Sequence, residues 1–207
     1  NDPASVGVTL RGVRVRIGDN DELLVKSPGV MLGYWNNHAA TSRMIDSDGW
    51  LHTGDQARID RGHIYITGRL KDILVLSNGE KVPPNDMENA IALDELVDQV
   101  LLIGEGRPYL SALVVPNPEA FARVAGALRL DPANEATCCD ENVRSIFMQH
   151  VQERITEFPG YAQVREVAVV NEPWTPDNGL ATPTLKLRRS KILERYHDVT
   201  EQLYAGH

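Results

Sequence analysis

Three residues of this 207-residue chain have types and settings suited to chemistry on phosphate and carboxyl groups: Asp55, Arg69 and Lys186. Asp55 closes the segment Thr53-Gly54-Asp55. An acid after a tight glycine can accept hydrogen bonds from a ribose diol, as acidic residues do in dinucleotide sites. The same three residues also read as an Asx-turn or a helix cap. Arg69 follows Gly68 at the end of an expected strand. A guanidinium there is shaped for phosphate or ribose, and equally for a surface ion pair. Lys186 opens the basic run Lys186, Arg188 and Arg189 in a chain of net charge -8. Such a run reads as a solvated face, or as a cation set on a transferring phosphoryl group to stabilise developing negative charge.

The rest of the composition narrows the field. No G-x-x-x-x-G-K-[ST] or G-x-G-x-x-G occurs, so no phosphate-cradling loop of those types is present. An acidic surface repels polyanions, so nucleic acid is not expected as a partner. No stretch approaches the ~20 apolar residues of a membrane span. The two cysteines, Cys138 and Cys139, are adjacent and rarely bridge in that arrangement, which points to a reducing, cytoplasmic setting. The histidines and cysteines show no metal-ligand spacing, so no metal site is expected within the chain.

The elements that must position these residues follow from local pattern. Alternation of Val13, Val15 and Ile17 predicts a strand over 12–17, with a turn at Gly18-Asp19-Asn20-Asp21 and a second strand over 22–27. A short helix over 38–45 is expected behind an Asn36 or Asn37 cap. A turn over 46–50, a hairpin over 56–67, a strand over 73–76 and a tight turn at Asn78-Gly79 follow. The remainder alternates: a helix over 85–93, paired strands over 97–104 and 109–115, and a helix over 118–127. A longer helix over 140–158 carries Val143, Phe147, Val151 and Ile155 on one side. A strand over 164–170, a loop or short strand over 182–187 and a final helix over 190–204 complete the chain. Cys138-Cys139 and the acids around them read as a surface loop before a helix. The chain is β-rich before Gly68 and mixed after it. The expected class is therefore α+β, with a boundary at 68–72.

Four segments, in order, carry a family resemblance. They are Gly49-Trp50-Leu51-His52-Thr53-Gly54-Asp55, Gly68-Arg69-Leu70-Lys71-Asp72, Ser77-Asn78-Gly79-Glu80-Lys81-Val82-Pro83-Pro84 and Pro183-Thr184-Leu185-Lys186-Leu187-Arg188-Arg189. Together they resemble the adenylate-forming enzymes: acyl-CoA synthetases, peptide-synthetase adenylation domains and luciferases. The likeness covers nearly the whole chain, starting at Glu22-Leu23-Leu24-Val25 and Pro28-Gly29-Val30-Met31-Leu32-Gly33-Tyr34-Trp35. The ending, with Ile192-Leu193-Glu194-Arg195-Tyr196 and the earlier Gly104-Glu105-Gly106-Arg107-Pro108-Tyr109-Leu110, is similar to long-chain fatty-acid CoA ligases. One departure is Leu185, where many relatives carry glycine before the lysine.

The resemblance implies an acid–thiol ligase that forms an acyl-adenylate from a fatty acid and ATP, then an acyl-CoA. It implies Asp55 on the ribose hydroxyls, Arg69 on ribose or phosphates, Lys186 as the adenylation lysine, and Gly79 beside the path of CoA. Lys71 takes the hinge position, where many relatives have Asp. Mg²⁺ is implied too, with its ligands outside this chain. Residues 1–67 would be the β-rich tail of a large N-terminal domain. Residues 68–207 would be a small mobile C-terminal α+β domain whose partner is its own N-terminal domain. The phosphate-binding loop and acyl pocket of the family are absent from the sequence, and the first residue is Asn1. The expectation is a C-terminal piece, inactive alone, of a cytoplasmic enzyme with peripheral membrane contact open to it. The alternatives are a piece of a medium-chain, aryl or carboxylic acid reductase ligase, or a non-catalytic module of the same fold.

Overall fold

The computed structural model describes residues 2 and 5–205, with the side chain of Lys71 outside that description. The chain forms two compact units that divide after Ile73.

The first unit is one antiparallel sheet. Its strands are β1 (Gly7–Val8), β2 (Arg14–Ile17), β3 (Glu22–Lys26), β4 (Leu51–Asp60) and β5 (His63–Arg69), in the order β1-β5-β4-β3-β2. A helix, α1 (His38–Met44), precedes β4. Asn37 caps it by accepting a hydrogen bond from the Ala40 amide at 3.0 Å, which satisfies one of the donors that a helix start leaves free. The chain then turns at Asp46, whose carboxylate accepts from the Trp50 amide at 2.8 Å and the Asp48 amide at 3.0 Å. The Trp50 hydrogen bond chiefly holds this carboxyl below its ordinary value. The apolar centre is small: Leu23, Ala57 and Ile64, with Val15, Ile17 and Val25 packed against them.

The second unit is a sandwich of helices about a three-stranded sheet. It comprises β6 (Leu74–Val75), β7 (Lys81–Val82), α2 (Pro84–Ile91), β8 (Val97–Ile103), β9 (Leu110–Pro116), α3 (Pro118–Ala127), α4 (Glu141–Arg154), β10 (Val164–Val169), α5 (Arg189–Arg195) and α6 (His197–Gln202). The sheet order is β10-β9-β8, and β10 runs parallel to β9. A parallel partner needs a long crossover, and α3 and α4 supply it. Successive side chains of a strand point to opposite faces. Leu110, Ala112 and Val114 of β9 meet Met87 and Ile91 of α2 and Val143, Phe147 and Val151 of α4 in one core. Leu113 and Val115 join Trp174, Ile192, Leu203 and Tyr204 in the other. All of β9 is buried as a result, which is why it reads as an apolar run interrupted only by Ser111. Each fully buried large apolar side chain contributes about 1.5–3 kcal/mol. No helix among the described residues is long and apolar enough to cross a membrane.

The α+β class holds, and four local readings change. The final helix expected over 190–204 breaks at Tyr196, whose backbone leaves helical geometry. Its ring packs 6.4 Å from Trp174 and its hydroxyl donates to Glu172 at 3.2 Å, so side-chain anchoring outweighs helix continuation. The helix expected to reach 158 ends at Arg154. Cys138 is buried in the larger core while Cys139 is exposed, because a 3-10 turn over Glu135–Cys139 points successive side chains apart. Thr53-Gly54-Asp55 is not a turn; it lies inside β4.

Candidate functional site

Asp55 and Arg69 are brought together by strand register. They are Cα partners in the β4–β5 pair, and Arg69 Nε donates to Asp55 Oδ1 at 2.9 Å. The Arg69 side chain is 60% exposed and that of Asp55 32%. Exposed pairs of this kind contribute about 0–1 kcal/mol, so the carboxylate can change partners at little cost. An acceptor and a planar cation, partly exposed and side by side on two paired strands, can receive a diol and an anionic group together.

The backbone around Asp55 is irregular and tightly held. Gly54 has φ +72°, a conformation that side chains resist, and the pairing with both neighbouring strands shifts nearby. Glu22, at the start of β3, holds the irregularity. Its Oε1 accepts from the Gly54 amide at 2.9 Å, and its Oε2 lies 2.7 Å from His52 Nδ1. Thr53 Oγ1 donates to the Leu23 carbonyl at 2.7 Å and accepts from the Asp55 amide at 3.1 Å. Glu22 is 9% exposed, so leaving its carboxylate without these donors would be costly. Neither Glu22 nor His52 is marked as a site residue by motif or spacing. The available signal was a charged residue opening the apolar run Leu23-Leu24-Val25.

Lys186, in the second unit, is exposed on a loop closed by an Ala181–Leu187 bridge. The Thr182 amide donates to the Lys186 carbonyl at 2.8 Å, and the Lys186 amide donates to Thr182 Oγ1 at 3.0 Å. Leu185 takes φ +60° and the residue is 73% exposed. Glycine occupies such positions without strain, which gives the departure at Leu185 a structural meaning. Arg189 differs from its two basic neighbours. Its Nη2 donates to Glu88 Oε1 at 2.6 Å and its Nη1 to the Leu102 carbonyl at 2.5 Å.

Gly79 lies in the tight turn between β6 and β7 with φ +86°, and its amide donates to the Leu76 carbonyl at 2.8 Å. A Cβ built there would meet nothing within 4 Å, so the turn geometry and not crowding calls for glycine. The backbone of Lys71 belongs to a 3-10 turn, Leu70–Asp72. The structure thus pairs Asp55 with Arg69 and sets Gly79 and Lys186 on separate loops of the second unit. Among the described residues, no group of three His, Cys, Asp or Glu side chains is arranged to hold a metal ion.

Residues 71–207 match the family model for the AMP-binding enzyme C-terminal domain. The protein named "Probable acyl-activating enzyme 16, chloroplastic" of Arabidopsis thaliana is 36% identical over 200 residues, which cover 90% of this chain and 27% of that protein. A long-chain-fatty-acid–CoA ligase of Mycobacterium tuberculosis is 31% identical over 208 residues, covering 97% of this chain and 34% of that ligase. The adenylation domain of carboxylic acid reductase from Segniliparus rugosus, solved with AMP and a co-purified carboxylic acid, superposes with a TM-score of 0.76. It is 27% identical, and the match covers 96% of this chain and 32% of that one. The chain therefore spans about a third of the length of these relatives.

Proposed function

The chain belongs to the AMP-binding enzyme C-terminal domain family, and on that premise we propose that it is the C-terminal part of an ATP-dependent long-chain fatty-acid CoA ligase. Fatty acid, ATP and CoA are the substrates in this reading. The observation that carries it is the Asp55–Arg69 pair, an exposed carboxylate and guanidinium set 2.9 Å apart on a backbone that Glu22 holds.

Activation of a carboxylate requires its attack on the α-phosphate of ATP, with loss of pyrophosphate. Negative charge grows on the phosphoryl oxygens in that step, and a positioned cation lowers the barrier. Asp55 accepts the ribose hydroxyls and Arg69 turns to ribose or phosphate. Lys186 supplies the cation between the acyl carboxylate and the α-phosphate. The CoA thiol then attacks the acyl carbon and AMP leaves, with Gly79 beside the pantetheine. The two steps need different neighbours at one site. A domain running from 68 onward, turning at Lys71, would exchange them, as hinges use a few element-terminal residues. Mg²⁺ would neutralise the phosphates, and its ligands would come from the N-terminal domain, the partner of this one. Two free cysteines fit a cytoplasmic enzyme.

The likeness to the carboxylic acid reductase adenylation domain favours a second reading, in which the acid activated is other than a long-chain fatty acid. A carboxylate series assayed on the intact protein separates the two. The primary test is fatty acid-dependent exchange between pyrophosphate and ATP. The intact protein should catalyse it with long-chain acids, and the 207-residue chain alone should not. Exchange by the chain alone, or none by the intact protein with any fatty acid, refutes the reading.

A further inference from the structure

The hydrogen bonds inside the Lys186 loop define its shape. Its place on the sheet is set by the residues that follow. The Arg188 amide donates to the Leu180 carbonyl at 2.8 Å, closing the base of the loop. Arg189, three residues after Lys186, then begins α5.

Leu102 belongs to β8, an edge strand of the three-stranded sheet. On an edge strand, alternate residues turn their amide and carbonyl away from the neighbouring strand. At Leu102 both groups are taken by side chains. Its amide donates to Glu88 Oε1 at 2.7 Å and its carbonyl accepts from Arg189 Nη1 at 2.5 Å. Glu88 Oε1 also accepts from Arg189 Nη2 at 2.6 Å, closing a ring of three hydrogen bonds. Glu88 comes from α2 and lies 101 residues from Arg189. The side chains are 14% and 24% exposed, so both charges are largely withdrawn from water. A planar fork of this kind fixes direction as well as distance, which an apolar contact or a lysine cannot do.

We propose that Glu88 and Arg189 are positioning residues for the adenylation step: they fasten the root of the Lys186 loop to the edge of β8 and so fix where the lysine is presented. Neither touches a substrate. The inference rests on the role proposed above for Lys186. It predicts a defect confined to the half-reaction that uses the lysine, since displacing a catalytic group by about 1 Å costs up to about 10²-fold.

The test uses the full-length protein that contains this chain and assays the half-reactions separately. Pyrophosphate–ATP exchange with a long-chain acid reports adenylation, and supplied acyl-adenylate with CoA reports thioester formation. Arg189→Lys keeps the charge and loses the fork. It should lower the exchange kcat about tenfold, leave KM for ATP and fatty acid within about twofold, and leave thioester formation unchanged. Glu88→Gln keeps an acceptor for the Leu102 amide and should lose only about threefold in exchange. Equal losses in both half-reactions, or no loss in exchange, overturn the proposal. Should Arg189→Lys not fold, Glu88→Gln carries the test alone, and an unchanged ratio of its two half-reactions overturns the proposal. Lys186→Ala separates the premises. Exchange lost in Lys186→Ala but intact in Arg189→Lys sinks the clamp and spares the site; exchange intact in Lys186→Ala sinks the reading of the site.

Discussion

Asp94→Asn should loosen the core of the second unit by an amount that can be worked from its contacts. Asp94 sits between α2 and β8 with its side chain 3% exposed. It accepts from the Leu96 amide at 3.0 Å, lies 3.0 Å from His150 Nδ1, and accepts from Arg154 Nε at 2.9 Å. His150 and Arg154 stand one turn apart on α4, so one carboxylate ties that helix to the α2–β8 corner. Asparagine keeps an acceptor for Leu96 and loses the charge facing α4. Hydrogen bonds to charged groups contribute about 1.5–3 kcal/mol each. The Arg154 side chain is 44% exposed and that of His150 30%, so water replaces part of what they lose. The expected cost is about 2 kcal/mol in all. Cys138 offers the readout, because it is buried in the core that α4 covers while Cys139 is exposed. Thiol labelling under native conditions should mark Cys139 at once and Cys138 only through opening of the unit. Burial pushes the Cys138 thiol up, so both proteins are compared at one pH. When closing outpaces labelling, the rate follows the open population, and about 2 kcal/mol raises it roughly thirtyfold. A change under about threefold would refute the tie. The pH dependence has a definite sign. Burial pushes the Asp94 carboxyl up, but the Leu96 amide, Arg154 and His150 together hold it below its ordinary 3.8. Its contribution is complete above that pH and is lost as pH falls through the lowered value. Asparagine should remove that part of the acid transition.

Glu22→Ala removes the acceptor of the Gly54 amide and the partner of His52. In the full-length protein, steady-state kinetics should show KM for ATP raised about tenfold with kcat within about threefold, and Glu22→Gln should recover most of it. A kcat loss with unchanged KM would contradict the role of Glu22 behind Asp55. Tyr196 is pushed up to about 12, first by burial. Its contribution to stability is therefore complete below pH 10 and is lost as pH rises through about 12. Denaturation between those values should show an alkaline decline that Tyr196→Phe reduces; an identical decline in both proteins would contradict it.

Much of the fold was legible because its signals are local. The Pro118–Ala127 helix carries Asn117 as a cap, proline in its first turn and a consistent apolar face, and it forms over the expected residues. The Val143, Phe147, Val151 and Ile155 spacing likewise marks the buried side of α4. What could not be read depends on partners far along the chain. The break at Tyr196 arises from Trp174 and Glu172, and the parallel pairing of β10 with β9 is a matter of topology. At the site, the acid, the arginine and the lysine stood out by type and motif. Their supports did not: Glu22 acts 32 residues away on Gly54, and Glu88 acts 101 residues away on Arg189. No spacing rule encodes such pairs; Glu22 left a trace as a charge opening the run Leu23-Leu24-Val25, whereas Glu88 and Arg189 sit beside polar residues.

The role of Lys186 is the central claim, and one comparison tests it most directly. In the full-length protein, Lys186→Ala should abolish fatty acid-dependent pyrophosphate–ATP exchange while leaving conversion of supplied acyl-adenylate to acyl-CoA within about threefold of the unaltered protein. Equal loss of the two activities, or persistence of the exchange, would contradict it.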